Sequence, residues 1–389
     1  MQVENKENCS GCGACYNICP KNAITMKIDD YGFYKPVIDS QKCVNCGLCE
    51  KICPLDKFKS NNFEQPKVFA FMNTDEVRLK SSSGGAFSAF ADYILKNNGV
   101  IYGVIWDENI TAVHFRATNS EDVEKMHGSK YVQSNTNDTF KQAKTDLDNG
   151  KFVLYSGTPC QIGGLKAFLQ KDYDNLLTVD LICHGAQSLF YLDNYKRHFL
   201  KNKKDEKILS MNFRSKATPW GSGYFTTTTV TDKGIYNSEK DLYTAFMDFS
   251  SNKSCASCQF ARLPRTADIT IGDFWGVDDY DKTMNDGKGL SLILLNSEKG
   301  TKYFELIKDN YSSKEVPLEF VVRYNSNIIK PTTPPPEREE FFKDIKKGKS
   351  LQKCKSKYYK EPLSIAIYRL LPQFAKDFIK YKILKRPKC

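Results

Sequence analysis

Eight of the fourteen cysteines fall between positions 9 and 53, and their spacing constrains the fold more than any other feature. Cys9, Cys12, Cys15 and Cys19 run as C-x2-C-x2-C-x3-C with Pro20 behind; Cys43, Cys46, Cys49 and Cys53 repeat the run with Pro54 behind. Two-residue gaps let a tight turn wrap three thiolates around one iron–sulfur cube, and the prolines end each run. In such a pattern the first three thiolates hold one 4Fe-4S cluster and the fourth crosses to the other. Cys9, Cys12, Cys15 and Cys53 therefore form one ligand set, and Cys43, Cys46, Cys49 and Cys19 its neighbour. Gly11, Gly13 and Gly47 supply the permissive backbone that close approach to a cluster needs. Structural zinc also uses C-x2-C pairs, but it takes four ligands rather than a duplicated run ending in proline.

The spacing is that of bacterial two-cluster ferredoxins, and residues 24–38, centred on Asp29, Asp30, Tyr31 and Gly32, read as the hairpin between the halves. At 389 residues and 40% hydrophobic, the chain has room for that module and a larger domain with its own core. The opening MQVENKENCS lacks the basic start and apolar stretch of a secretory signal, so reduced thiols and a cytoplasmic location are expected. No run of about 18 apolar residues is present, so no membrane-spanning helix is expected. The net charge of +11 is concentrated in the tail: 343–389 hold 15 Lys or Arg against 3 acids, leaving 42 basic and 43 acidic groups elsewhere. A near-neutral body argues against nucleic-acid binding.

After a linker at 61–66, residues 67–72 predict a strand and 86–98 a helix stopped by Gly99. The turn before that helix, residues 81–85 (SSSGG), offers either an anion cradle or an ordinary serine cap. Residues 100–106 and 110–117 predict paired strands. A short helix at 120–126, the polar loop HGSKYVQS (127–134) and a helix over 137–149 follow. Strand, glycine-bearing loop and helix then occur twice, at 151–170 and 176–203, the pattern of an α/β domain with a parallel sheet. Strands near 207–214, 223–231 and 234–238 come next, then CASCQF (255–260) and strands at 267–276 and 289–296. PTTPPP (331–336) is a rigid breaker that closes the expected folded body.

Ligands in such sheets lie beyond the carboxyl ends of strands, where Cys160 and Cys183 sit. With Cys255 and Cys258 they make one more four-thiolate set, provided the loops face the C-x2-C segment. Taken singly, Cys160 and Cys183 also read as buried apolar residues, and the C-x2-C pair as half a zinc site. Of the four histidines, His184 in the loop after Cys183 is the candidate proton donor, against a plain hydrogen-bonding role. Neither a GxGxxG fingerprint nor a GxxxxGK[ST] loop occurs. Residues 362–386 read as a basic amphipathic helix kinked at Pro372, to lie on an anionic membrane surface or to pack on the body or a partner.

SSSGGAFSAFADYIL, HGSKYVQS, LYSGTPCQIGGLK, VDLICHG, CASCQF and ADITIGDFWG, in this order, resemble the family of coenzyme F-420 hydrogenase/dehydrogenase beta subunits over roughly residues 1–300. The resemblance implies an FAD-binding α/β domain with its own 4Fe-4S cluster behind a ferredoxin module. It places Ser82, Ser83, Gly84 and Gly85 near the flavin nucleotide's phosphates, and Ser129, Lys130, Tyr131 and Thr158 among further flavin contacts. It also supports Cys160, Cys183, Cys255 and Cys258 as a third cluster's ligands. Ferredoxin-fused relatives are similar to proteins encoded among bacterial surface-polysaccharide genes.

The expected architecture is thus α+β and α/β: a two-cluster ferredoxin module (1–62), an FAD-binding α/β domain (63–330), and a Pro-rich breaker with a basic helical tail (331–389). The expected function is an iron–sulfur flavoprotein oxidoreductase acting on a small substrate, with a redox partner protein or reduced ferredoxin as electron source. It is placed in the cytoplasm, with membrane contact through the tail at most. The alternatives are a coenzyme F-420 (deazaflavin) oxidoreductase, a pure electron-transfer subunit, and an assembly factor for a glycan complex with vestigial redox sites.

Overall fold

The computed structural model describes residues 3–4, 6–55, 59–222, 225–238, 242–358 and the isolated positions 371, 372 and 375. The basic helix expected over 362–386 therefore lies, apart from those positions, outside the described residues.

Each cysteine run opens into a short helix, α1 (Ala14–Ile18) and α2 (Leu48–Lys51), whose N-caps Gly13 and Gly47 take left-handed φ values of 82° and 72°. Between them the expected hairpin forms from β1 (Ile24–Ile28) and β2 (Tyr34–Ile38), antiparallel with Ile24 opposite Ile38. Asp29 Oδ1 accepts from the N–H groups of Tyr31 and Phe33, which fixes the turn.

The next segment runs β3 (Lys67–Met72), α3 (Asp75–Lys80), α4 (Ala86–Lys96), β4 (Val100–Trp106), β5 (Ala112–Ala117), α5 (Ser120–Glu124) and α6 (Thr139–Asp148). It continues through β6 (Val153–Gly157), α7 (Pro159–Leu169), β7 (Leu176–Leu181) and α8 (Leu189–Leu200). Helix α3 replaces what reads as a polar link; Asp75 and Glu76 in its first turn and Arg78 and Lys80 in its last suit the helix dipole without any apolar periodicity. The strands β8 (Ile208–Ser215), β9 (Thr226–Thr231) and β10 (Ile235–Ser238) form a separate antiparallel sheet. The helices α9 (Leu242–Ala245) and α10 (Met247–Ser250) lead to β11 (Ile269–Asp273), α11 (Val277–Tyr280), β12 (Ser291–Leu295) and α12 (Glu298–Glu305). The described body ends with β13 (Ser312–Val316), α13 (Leu318–Tyr324), α14 (Arg338–Lys346) and α15 (Leu351–Tyr358).

The large sheet has the order β13-β3-β12-β11-β7-β6-β4-β5. Strands β11, β7, β6 and β4 pair in parallel; β12, β3 and β13 on one side and β5 on the other pair antiparallel, so the sheet is mixed rather than parallel throughout. The β4–β5 turn, held by Asp107 Oδ1 accepting from Asn109 and Thr111 N–H, is too short for a crossover, so its strands must be antiparallel. Phe90 and Ile94 of α4 and Phe304 of α12 share a core with one set of sheet residues. A second core joins Phe140 of α6 and Ile162 and Leu165 of α7 to Val153 and Tyr155, and Ala14 of α1 enters it. The ferredoxin-like module is thereby packed directly on α7.

PTTPPP does not close the folded body. Beyond it, Phe341 and Ile345 of α14 and Leu351 and Cys354 of α15 are buried with Tyr191, Tyr243 and Phe246. Arg338 Nη2 donates to Ser251 O (2.7 Å), and Asn194 Nδ2 to Lys349 O (3.1 Å). The prolines break the secondary structure, but the apolar spacing after them returns the chain to the core. Among the described residues no helix is long and apolar enough to cross a membrane.

Candidate redox site

The first group of thiols assembles from loop and helix ends. The N–H of Gly11 points at Cys9 Sγ (3.4 Å), and Lys6 Nζ lies 3.6 Å from Cys53 Sγ. Burial raises the proton affinity of Cys9 and Cys15, and Cys53 adds to the rise at both, so the last cysteine of the second run stands beside the first run. Cys12, also raised by burial, feels Cys15 and Cys9. Cys19, the last cysteine of the first run, instead lines one small cavity with Cys43, Cys46 and Cys49, and accepts from Ala23 N–H (3.3 Å). Cys53 thus stands beside the first run and Cys19 beside the second.

The second group lies at the carboxyl ends of β6 and β7. Cys160 is in the first turn of α7, Cys183 follows β7, and Cys255 and Cys258 flank the end of a 3-10 turn, Lys253–Ser257. Burial pushes Cys160 up to about 12, and charge on Cys258 and Cys255 reinforces it. Cys183, raised well above its ordinary range by burial, feels Cys255, Cys160 and Cys258. Three distant stretches of chain thus bring four thiols together. Gly185 N–H points at Cys183 Sγ (3.4 Å), Ala186 N–H at Cys255 Sγ (3.5 Å), and Thr158 Oγ1 stands 3.2 Å from Cys160 Sγ. Among the described residues no three Cys, His, Asp or Glu side chains converge on a single metal ion.

Arg265, 1% exposed, joins the two halves of this group. Its guanidinium donates to Phe260 O (3.2 Å), two residues after Cys258, and to Leu181 O (3.0 Å), two before Cys183. It also pairs with the fully buried Asp180 (3.2 Å).

The Ser82 turn forms a second centre. Ser82 Oγ accepts from Ser129 N–H (2.8 Å), and Lys216 Nζ donates to Ser82 O (2.8 Å). Ser83 Oγ donates to Leu290 O (2.7 Å), and Gly84 N–H is spent on Ser291 Oγ (2.8 Å), so Gly84 presents no free N–H to an anion. A Cβ at Gly84 would lie 2.4 Å from Phe71 O; the glycine serves close packing on the sheet. Gly85, with φ 80°, caps α4 without a side-chain hydrogen bond. Lys130 Nζ donates to Lys125 O (2.9 Å) and His127 O (2.8 Å), and burial pushes its pKa down to about 7. Burial does the same to Lys216, which also falls to about 7. Both lysines are half-buried; Lys130 is spent on those two carbonyls, and Lys216 also feels the charges of Asp273 and Asp286. Thr158 is apart from this centre, in a capping box with Gln161 beside Cys160.

Between the two centres lies an aromatic-walled ion pair. Arg214 donates to Asp273 (2.9 Å) and to Tyr131 Oη (3.0 Å), and its guanidinium lies 4.3 Å from the Phe225 ring centroid and 5.1 Å from that of Trp275. Trp220 stacks on Trp275 at 5.3 Å and donates Nε1–H to Asp273 (2.8 Å). His184 faces this pair and Asp248; burial and Arg214 lower its pKa while Asp248 and Asp273 oppose the fall. The residue is nonetheless exposed to solvent. Sequence reading missed Arg214, Lys216, Trp220 and Arg265. The first three belong to the small sheet and its following loop, outside the strand-loop-helix pattern, and a lone arginine such as Arg265 carries no motif.

Three family models match the chain: a 4Fe-4S dicluster domain over residues 8–57, and the N-terminal and C-terminal parts of the coenzyme F420 hydrogenase/dehydrogenase beta subunit over 68–141 and 150–319. One component of the F(420)H(2) dehydrogenase of Methanosarcina mazei is 23% identical over 333 residues, 81% of this chain and 87% of that protein. The coenzyme F420-dependent sulfite reductase of Methanocaldococcus jannaschii is 29% identical over 335 residues, 79% of this chain but only 46% of that protein. The solved F420-reducing [NiFe] hydrogenase complex of Methanosarcina barkeri aligns over 77% of this chain and 94% of its own with 18% identity and a TM-score of 0.44. Taken together with the thiol geometry, the two beta-subunit models and the dicluster model show that this chain belongs to the family of coenzyme F420 hydrogenase/dehydrogenase beta subunits, as an iron–sulfur oxidoreductase component carrying a 4Fe-4S dicluster domain.

Proposed function

We propose that the chain is an iron–sulfur flavoprotein oxidoreductase. In this reading the eight N-terminal cysteines hold two 4Fe-4S clusters, Cys160, Cys183, Cys255 and Cys258 hold a third, and FAD binds at the Ser82–Ser129 turn. The observation that carries it is the gathering of four half-buried thiols from three stretches at the carboxyl ends of β6 and β7, with backbone N–H groups aimed at the sulfurs of Cys183 and Cys255. Bound FAD supplies the two-electron chemistry that one-electron clusters lack. Lys130 and Lys216 would supply positive charge to the dinucleotide's diphosphate, whose negative charge would in turn raise their lowered proton affinity. Tyr131, held by Arg214, would stand beside the flavin, and the exposed His184 would be the proton donor. In this reading electrons arrive from a one-electron redox protein and leave with a small substrate, or travel in reverse.

Anaerobic purification tests this: about twelve irons and one FAD per chain support it, and zinc without flavin refutes it. A second reading is favoured by the names of the two relatives, both of which carry coenzyme F420. Here the small substrate is that deazaflavin, and stopped-flow reoxidation of the reduced protein by it separates the readings. A protein that only transfers electrons would turn over artificial dyes and no small metabolite.

A further inference from the structure

We propose that Cys12 and Cys160 form the junction through which single electrons cross from the ferredoxin-like module to the α/β domain, with Gly164 as the residue that sets its width. The inference rests on the three-cluster reading above. Cys160 and Gly164 are one helical turn apart on α7, so both face the same way. A Cβ built at Gly164 would lie 2.9 Å from Cys12 Sγ, 3.0 Å from Cys12 Cβ and 3.4 Å from Phe140 Cε2. Only a glycine therefore lets the Cys12 side chain rest on the helix that carries Cys160. Cys160 is near enough to act electrostatically on Cys12. Ser10 Oγ, buried and without a well-formed hydrogen bond of its own, faces the Cys160 thiol.

The docking is tied on both sides of this contact. Gln133 Nε2 donates to Ser10 O (2.9 Å) while its Oε1 accepts from Tyr34 N–H (2.7 Å), and Asn17 Nδ2 donates to Asn137 O (2.9 Å). Ala14 and Ile18 of α1 join the core of Ile162 and Leu165, so the seam is packed rather than hinged. The other ligand set faces away: Cys46 is exposed, and neighbouring Val44 is 59% exposed. The order is then outer set, Cys12 set, Cys160 set. One electron leaves the Cys12 set, which is oxidised, as the Cys160 set is reduced, and no proton need move. The reductant is a one-electron redox protein docking at the Cys43–Cys46 end.

Tunnelling falls exponentially with distance, so widening this seam must slow the crossing while leaving both ends loaded. The test uses anaerobically purified full-length protein as wild type, Gly164→Ala and Gly164→Leu, with iron and flavin content measured first. If the native protein lacks the third cluster or FAD, the functional reading itself fails. With contents intact, Gly164→Leu should show native-rate reduction of the N-terminal clusters, loss of the fast phase of flavin reduction, and weaker magnetic coupling between spins in the electron paramagnetic resonance spectrum. Gly164→Ala should lie between. Unchanged flavin reduction in a loaded Gly164→Leu protein overturns the proposal. Should that variant lose its clusters, Gly164→Ala decides on the same two readouts.

Discussion

Replacing Arg265 by methionine probes the architecture of the third thiol set without touching a thiol. The side chain is 1% exposed and its partner Asp180 is 0% exposed. Methionine keeps much of the volume but removes donors to Thr270 Oγ1 (3.2 Å), Phe260 O (3.2 Å), Asp180 Oδ1 (3.2 Å) and Leu181 O (3.0 Å). Asp180 would retain Thr270 as a hydrogen-bond donor, but its Oδ2 already lacks a partner. Removing one member of a buried ion pair typically costs about 3–5 kcal/mol, because the survivor stays buried and uncompensated. The loss should depend on pH. Burial already raises the Asp180 pKa and Arg265 opposes that rise, so without Arg265 the folded state holds the proton more tightly than the unfolded chain. Protonation then favours folding, and the destabilisation is largest at high pH and eases as pH falls through the raised pKa. Urea unfolding of R265M at pH 8 and pH 5.5, beside R265M/D180N, measures this. The double variant should recover much of the stability but not the Phe260 and Leu181 tethers, so its iron content should still fall by about four per chain. An R265M protein as stable as the native one, or equally destabilised at both pH values, would falsify this account of the clamp.

Four further outcomes are expected. Lys35 Nζ donates to Cys9 O (2.6 Å) and Lys6 approaches Cys53 Sγ, so K35M and K6M should each lower the reduction potential of one N-terminal cluster and not the other in a redox titration followed by electron paramagnetic resonance. Lys130 and Lys216 lose their protons near pH 7 when folded and near 10.5 when unfolded, so flavin-free protein should gain stability as pH rises from 7 to 9; K130M should flatten that slope in denaturation curves. Phe341 is 1% exposed in the core shared with Tyr191 and Phe246, and F341A should cost about 3–5 kcal/mol, whereas a dispensable tail would leave the urea midpoint unchanged. H184Q should keep native iron and flavin while slowing turnover of a substrate that needs a proton; unchanged turnover would remove His184 from the chemistry.

The ferredoxin-like module was legible because the spacing within each cysteine run is local and the run is repeated, although its fourth cysteine serves the other run. Strands β3, β4, β6 and β7 and helices α4 and α7 were legible from apolar runs and glycine stops. What sequence reading could not deliver is non-local. The flanking antiparallel strands depend on which edges remain free after the parallel core forms, and β13 has an almost wholly exposed face with no apolar pattern to betray it. Arg214 meets Asp273 across 59 positions and Arg265 meets Asp180 across 85, pairings that no local period encodes. The composition of the Ser82 turn left an anion cradle and an ordinary serine cap both open, and only the folded chain shows that Ser291 at the start of β12 claims the Gly84 N–H.

Helix α14 clasps both halves of the molecule. Its Glu339 accepts a hydrogen bond from Tyr31 at the tip of the first hairpin, 308 positions away, its Phe342 packs edge-on against Tyr31 at 5.3 Å, and its Arg338 grips Ser251 O on the approach to Cys255. During synthesis, the earliest-made module therefore emerges long before the segment that fastens it. Until the ribosome has delivered residue 342, the hairpin lacks its latch and the loop leading to Cys255 lacks one of its anchors.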